Sequence, residues 1–189
     1  MPSHDKDFNE RYSIPFIPTL NLKTKKWDRI NWGVYLRAHA CTVVGIHLII
    51  HGGITEQELY SDRVYAMDME TKSVPVSIQN KADKEMMLAY HRIVCTHKIS
   101  PKIQEELKIK GLLCFGGKNN KGQVNKELFF YHCENKSLWD MEEISSKWIV
   151  MDTSGIKPEG RYGHTMDILN TRTSYANLQA FCIVIGGIS

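Results

Sequence analysis

The residues of this chain that could do chemistry are histidines and cysteines, and two groups of them have spacings near those of metal ligands. His47 and His51 are four residues apart, which on a helix would place both imidazoles on one face. Both lie in an apolar run typical of a strand, where four residues span about 13 Å, so we expect them not to share an ion. His91, Cys95 and His97 form the second group, but their spacing matches no common zinc arrangement and no fourth ligand is evident. We therefore expect no metal and no cofactor.

The sequence contains no motif of a familiar catalytic centre. A nucleophile elbow, a phosphate-binding loop, a dinucleotide glycine fingerprint and a zinc-protease H-E-x-x-H are all missing. We therefore expect residues 1–189 to be non-catalytic, while a catalytic domain beyond residue 189 stays open.

Composition and charge favour a folded cytoplasmic protein without a nucleic-acid or membrane partner. The chain has 189 residues, of which 42% are hydrophobic and 24% charged, and a net charge of +3. Those charges are too mixed to predict binding to nucleic acid or to an anionic membrane. The most apolar run, 43–50, is far shorter than the roughly 20 residues of a membrane helix. Five cysteines without a C-x-x-C pair favour a reducing compartment.

The elements that must position the histidines repeat along the chain. Three apolar runs of strand length each end in two glycines, which are Gly52 and Gly53, Gly116 and Gly117, and Gly186 and Gly187. Upstream of each glycine pair, a histidine opens another strand-like stretch, and these histidines are His39, His91 and His164. The repeats predict pairs of consecutive strands.

Further strands follow the first two glycine pairs. Segments 63–72 and 127–136 alternate apolar and polar residues and end in turn-forming residues, as half-buried strands do. Segment 18–27 has the same shape and ends in Trp27. A linker from Trp148 to His164, which includes Arg161, joins two units, and segment 27–39 repeats it loosely.

In these features, over about residues 18–189, the chain resembles kelch repeats. The resemblance implies an all-β fold, a kelch-type β-propeller of four-stranded antiparallel blades. In that pattern a histidine begins the first strand, two glycines end the second, aromatic residues fill the third and a tryptophan lies in the fourth. About twelve strands are expected, enough for three blades, whereas propellers typically need four to eight. We therefore expect an incomplete propeller, with the remaining blades supplied beyond residue 189 or by another chain.

The resemblance divides the chain into five segments. Residues 1–13 are a tail, 14–33 the outer strands of a closing blade, 34–80 a blade, 81–151 a degenerate blade and 152–189 the first two strands of the next blade. The middle unit is degenerate, because Val74 and Pro75 stand where a tryptophan is expected and Tyr90 stands where a glycine is expected before His91. Insertions are expected at 96–110 and 170–177. A short helix is predicted from Ser100 because Pro101 suits a first helical position.

The repeated residues have structural roles in this interpretation. The glycine pairs allow positive φ and close approach of neighbouring backbone. Trp27 and Trp148 are expected to fill the wedge between adjacent blades. The motif histidines, with Arg37 and Arg161, are expected to hydrogen-bond the backbone of the neighbouring blade.

Function is expected on the side of the propeller that carries the connections between second and third strands and between blades. The kelch resemblance implies a protein–protein interaction module, either an adaptor or a subunit of a larger assembly, with a possible association with the cytoskeleton. The candidate partner-binding residues are Trp32, Tyr35, Glu56, Glu58, Tyr60, Asn119, Lys121 and Lys157. The insertions lie on the opposite side, and a partner could use them instead.

Two alternatives belong to other functional classes. The first is an N-terminal regulatory propeller of a larger enzyme, such as the Ser/Thr protein phosphatases that carry kelch repeats. The second is a copper enzyme related to galactose oxidase, for which no Tyr/Cys/His copper site can be assembled from this sequence.

Overall fold

A computed structural model describes residues 15–72, 75–78, 86–107, 110–132, 148–172 and 178–189, and these residues form small antiparallel sheets. The predicted all-β class is confirmed. A first hairpin pairs β1 (Phe16–Asn21) with β2 (Lys26–Asn31). Its turn is closed by Asn21 Oδ1, which accepts hydrogen bonds from the backbone N–H groups of Lys23 and Thr24.

The first sheet has four strands. A short pair, β3 (Leu36–Arg37) with β6 (Ile54–Thr55), lies beside it. Its strands are β4 (Ala40–Val44), β5 (His47–His51), β7 (Val64–Asp68) and β8 (Val76–Ile78), and their order follows the chain. The predicted strand at 63–72 is therefore observed, and it ends in a turn where Asp68 Oδ1 accepts from the N–H groups of Glu70 and Thr71.

The second sheet also has four strands in chain order. They are β9 (Arg92–Cys95), β10 (Gly111–Phe115), β11 (Leu128–His132) and β12 (Trp148–Val150). Between β9 and β10 lie a 3-10 turn (Thr96–Lys98) and helix α1 (Pro101–Leu107). The helix predicted in this insertion is confirmed, and its first residue is the proline.

A second hairpin pairs β13 (Thr165–Arg172) with β14 (Leu178–Ile185). The insertion expected at 170–177 starts later than predicted, because β13 continues as a paired strand to Arg172 and β14 begins at Leu178. Three other predictions concern residues outside the described ones. They are the rest of that insertion, the absence of a tryptophan at Val74, and the tail 1–13.

Both faces of each four-stranded sheet are buried, because alternate residues of its strands belong to different core clusters. Ile49, Cys114 and Tyr131 lie in one core cluster between the two sheets. Their sequence neighbours lie in two other clusters: Ile50 packs with Ile30 and Trp32 toward β2, and Leu113 and Phe130 pack toward β13. Because successive side chains of a strand point to opposite faces, the two hairpins and two sheets stack as four layers.

The first strands of the repeated units lie next to one another. β9 packs against β4 on one side and β13 on the other. Within the part of the chain that the structure describes, no helix has both the length and the hydropathy needed to cross a bilayer.

Candidate functional site

The most concentrated group of reactive side chains lies where the first sheet meets the second. His51 is the last residue of β5, and His91 directly precedes β9. Their rings approach edge to face, with His51 Nδ1 2.8 Å from His91 Nε2. Gly52 allows this approach, since a Cβ placed there would lie 2.8 Å from His91 Cε1. We name the contact of His51, Gly52 and His91 the first joint.

Cys114 in β10 completes the group. One ligand atom from each of His51, His91 and Cys114 lies within 4.8 Å of the others. All three side chains are fully buried, at 0% exposure. The indole of Trp148 covers His51 with its ring centre 4.8 Å away. Two imidazoles and a thiol therefore converge inside an apolar layer.

Burial decides the charge of this group. Desolvation lowers the pKa of His51 to about 3, and it lowers the pKa of His91 well below the usual histidine value, with His51 and Arg92 adding to the shift. Burial raises the pKa of the Cys114 thiol. At neutral pH all three groups are therefore uncharged.

The imidazole pair leaves two nitrogen atoms unsatisfied. His51 Nε2 and His91 Nδ1 are buried and have no hydrogen-bond partner among the described residues. If His51 donates to His91, then His91 Nδ1–H lacks an acceptor and His51 Nε2 lacks a donor. If His91 donates instead, the two roles are exchanged. Either tautomer leaves one buried N–H and one buried lone pair unpaired, which is unfavourable.

An equivalent contact, the second joint, is made by Phe115, Gly116 and His164. Phe115 precedes its glycine pair as His51 does, and its ring lies edge to face with His164 at 5.7 Å. A Cβ on Gly116 would lie 2.5 Å from His164 Cε1. Burial first, then Arg92 and Arg161, lower the pKa of His164 to about 4. The second joint therefore has the geometry of the first with an apolar ring in place of one imidazole.

Main-chain hydrogen bonds repeat at both joints. Gly53 N donates to Leu88 O at 2.8 Å, and Gly117 N donates to Arg161 O at 2.8 Å. A second series runs through the residues that precede the motif histidines, with Tyr90 N donating to Ala38 O and Gly163 N donating to Tyr90 O. Ala38, Tyr90 and Gly163 have φ of 55°, 60° and 68°. The degenerate unit therefore keeps the backbone of its neighbours although a tyrosine replaces the glycine.

The second glycine of each pair faces the histidine of its own unit. A Cβ on Gly53 would lie 2.9 Å from His39 Cβ, and one on Gly187 would lie 2.9 Å from His164 Cβ. Gly117 faces His91 in the same way. The first glycine faces the next unit's histidine at the two joints, whereas Gly186 has no described atom within 4 Å of its added Cβ.

The structure shows other contacts for several motif side chains that were expected to hydrogen-bond the neighbouring backbone. Arg37 pairs with the carboxylate of Glu58, and Arg161 Nη1 donates to Gly186 O within its own unit. The nitrogens of His164 find no hydrogen-bond partner among the described residues. Main-chain groups supply the backbone hydrogen bonds between units, while His91 pairs with the His51 side chain of the neighbouring unit.

The ligand group considered in the sequence is divided by the structure. Cys95 Sγ lies 3.0 Å from His97 Nδ1 at one end of β9, whereas His91 precedes the other end. His91 instead meets two residues that sequence spacing did not connect with it, His51 and Cys114. Aligning the repeats on their glycine pairs makes His51 equivalent to Phe115, but the contact of His51 with His91 depends on how the sheets pack.

The predicted partner-binding residues differ in accessibility. Trp32 is 5% exposed and packs on Tyr65 at 5.9 Å, so it supports the first sheet and is not available as a partner anchor. Tyr35 is 51% exposed. The predicted acidic residues Glu56 and Glu58 are exposed, and Tyr60 is half-buried.

The remaining candidates lie on the loop after β10 and on the following linker. Asn119 is half-buried and orders its loop, since its Oδ1 accepts from the N–H groups of Lys121 and Gln123. Lys121 and Lys157 are exposed. The two segments are in contact, because Lys118 Nζ lies 3.5 Å from the ring centre of Tyr162.

The two tryptophans expected to pack between blades behave differently. Trp148 is buried between the two sheets, against His51 and Tyr131. Trp27 is 71% exposed, so it does not pack between blades within the described chain. Trp27 lies on the outermost layer, where no described element covers its face.

Comparison with protein-family models gives no match, and no curated protein matches the sequence. The geometry of the chain itself therefore carries the functional inference.

Proposed function

We propose that this chain is part of a kelch-type β-propeller that binds another protein through its loop face. We define the loop face as residues 32–37, 52–63, 116–127 and 152–163, the connections on one side of the sheets. The observation that carries this proposal is the exposure of large apolar side chains on separate connections of that face. Tyr35, Leu59 and Ile156 are 51%, 65% and 104% exposed.

Repeated joint geometry supports the propeller. Two four-stranded sheets stack side by side, with their first strands β4 and β9 adjacent and β13 next in line. The same glycine, histidine and main-chain contacts link each unit to the next. A constant relation between consecutive sheets is what radial repetition of blades requires.

Local hydrogen bonds support the loop face as a binding surface. Leu59 lies on a loop held by Thr55 N, which donates to Leu59 O at 2.8 Å, and by the ion pair of Arg37 with Glu58. Asn119 organises the loop after β10 in the same way. Loops that are already ordered lose less conformational entropy when a partner binds.

The mixed charge of the loop face favours a protein partner. Glu56 and Glu58 lie on the first loop, whereas Lys121 and Lys126 lie on the next one. Apolar anchors surrounded by charges of both signs are typical of protein interfaces, and a nucleic-acid surface would be uniformly basic.

The test compares two double variants that remove exposed apolar side chains from opposite sides of the sheets. Leu59→Ser with Ile156→Ser alters the loop face, and Val43→Ser with Ile46→Ser alters the opposite side, where both residues are also exposed. Wild type and both variants are used to capture proteins from one extract, with quantitative mass spectrometry as readout. We expect a protein retained by wild type and by the Val43/Ile46 variant to fall at least tenfold with the Leu59/Ile156 variant.

An equal set of captured proteins for all three forms would contradict the proposed face. Loss with the Val43/Ile46 variant alone would place binding on the side of the insertions instead.

A further inference from the structure

Three donor atoms of the kind that bind transition metals converge at the first joint. His51 and His91 come from different sheets, and Cys114 comes from the strand beside β9. Each is held by regular strand structure or by a glycine that fixes the approach. Rigid elements of this kind preorganise a ligand set better than mobile loops do.

We propose that His51, His91 and Cys114 bind one thiophilic transition-metal ion, and that Zn²⁺ is the ion they take. The donor set is two nitrogens and one sulfur, without a carboxylate in the cluster. Ca²⁺ and Mg²⁺ require oxygen ligands, whereas imidazole and thiolate suit zinc. Three protein ligands leave the fourth position of a tetrahedral ion to water or to another ligand.

The polar side chain at residue 51 is a second observation in favour of this site, because the equivalent residue of the second joint is apolar. His51 Nε2 and His91 Nδ1 are buried without a hydrogen-bond partner in the described chain, whichever tautomer is present. Phe115 shows that the equivalent position of the second joint accepts an apolar ring. The imidazole at residue 51 therefore introduces polar atoms that packing alone does not require, and its Nδ1 faces the nitrogen of a second imidazole.

The chemistry of binding is a ligand exchange with one proton released. Both imidazoles are already neutral and bind through nitrogen lone pairs, while the Cys114 thiol loses its proton to become the thiolate ligand. Two nitrogens on one tetrahedral zinc ion lie about 3.3 Å apart, so the 2.8 Å contact between the rings opens as the ion enters. Because the donors belong to two sheets, the ion would also link those sheets.

In the experiment Zn²⁺ is titrated into metal-free, fully reduced protein. Calorimetry measures the heat of binding, and native mass spectrometry counts the bound ions. His51→Phe removes one ligand and installs the side chain that the second joint already has at this position. Cys114→Ala removes the sulfur ligand. Cys95→Ala is the matched control, since Cys95 is also buried in the second sheet but lies beside His97. Circular dichroism reports whether each variant folds.

We expect wild type and Cys95→Ala to bind one ion that His51→Phe and Cys114→Ala bind on the order of 100-fold more weakly. Co²⁺ serves as a coloured substitute, and its thiolate charge-transfer absorption should appear in wild type and Cys95→Ala only. If Cys114→Ala does not fold, the site is tested by two other results. They are the thiolate absorption of wild type with Co²⁺ and the weaker Zn²⁺ binding of His51→Phe. No tight Zn²⁺ binding by wild type would overturn the proposal, and so would loss of binding in Cys95→Ala with retention in Cys114→Ala.

Discussion

The first and second joints have the same backbone and different side chains. Each has a glycine whose added Cβ would meet the next unit's histidine, and each has a 2.8 Å main-chain hydrogen bond to that unit. The residue before the glycine is His51 in one joint and Phe115 in the other. The comparison teaches that backbone geometry fixes the joint, while one side-chain position decides whether it is polar or apolar.

The glycines should therefore be the most sensitive positions in both joints. A Cβ on Gly52 would lie 2.5 Å from Leu88 O, and one on Gly116 would clash with Arg161 O. We expect Gly52→Ala and Gly116→Ala each to lower the free energy of unfolding by more than about 4 kcal/mol. Urea denaturation measures the change.

Gly45→Ala is the control for backbone strain alone, since Gly45 has φ of 59° and open space around it. It should cost only about 1 kcal/mol. A loss at Gly52 or Gly116 no larger than this would show that the joints are not held by close backbone approach.

Truncation to alanine should separate the two joints. Phe115→Ala removes a buried ring from an apolar contact and should cost about 4 kcal/mol. His51→Ala also leaves a cavity, and the unpaired His51 Nε2 that it removes is replaced by His91 Nε2, which loses its partner. An imidazole buries less apolar surface than a phenyl ring, so we expect a smaller loss, about 2 kcal/mol. Both values come from urea denaturation with a chelator present. A larger loss at His51 than at Phe115 would reverse the proposed contrast.

The second joint should make stability depend on pH. His164 is buried, and its pKa is lowered to about 4, below the usual 6.5. The unfolded chain therefore binds a proton that the folded chain resists, so stability is greatest above about pH 6.5 and falls as the pH approaches 4. Thermal melts between pH 7.5 and pH 4.5 should show a steeper fall for wild type than for His164→Gln. Parallel curves for the two proteins would remove His164 as the cause.

The smallest expected effect concerns the residues before the motif histidines. Ala38 has φ of 55°, and Gly163 has φ of 68° with open space around it. Ala38→Gly relieves left-handed strain but frees the unfolded chain, for a net gain of about 0.5 kcal/mol, and Gly163→Ala should lose a similar amount. Opposite signs in a sensitive two-state assay would confirm equal backbone roles, and equal signs would show that the units differ.

Sequence patterns predicted the strands well because alternation and turn residues are local signals. The helix of the insertion was also predictable, since its proline lies at the first helical position. Burial of Trp32 and exposure of Trp27 were not predictable, because they depend on which hairpin face finds a neighbouring layer. Spacing along the chain does not encode that choice.

The buried cluster escaped the sequence analysis for a related reason. His51, His91 and Cys114 come from three separate stretches, and their convergence depends on how one sheet packs on the next. A search for ligands close in sequence selected His91 with Cys95, which extended backbone holds apart by about 13 Å. Long-range packing, and not local spacing, creates the candidate metal site.

The large sequence separation between the residues of the first joint also has a consequence for folding kinetics. His51 and His91 are 40 residues apart in the chain. Contacts between such distant residues close large loops, and proteins rich in them fold slowly. As the chain leaves the ribosome, the first sheet can form before His91 has been made, so its inner face stays open until the second sheet arrives. We expect that interval to be the stage at which the nascent chain depends most on chaperones.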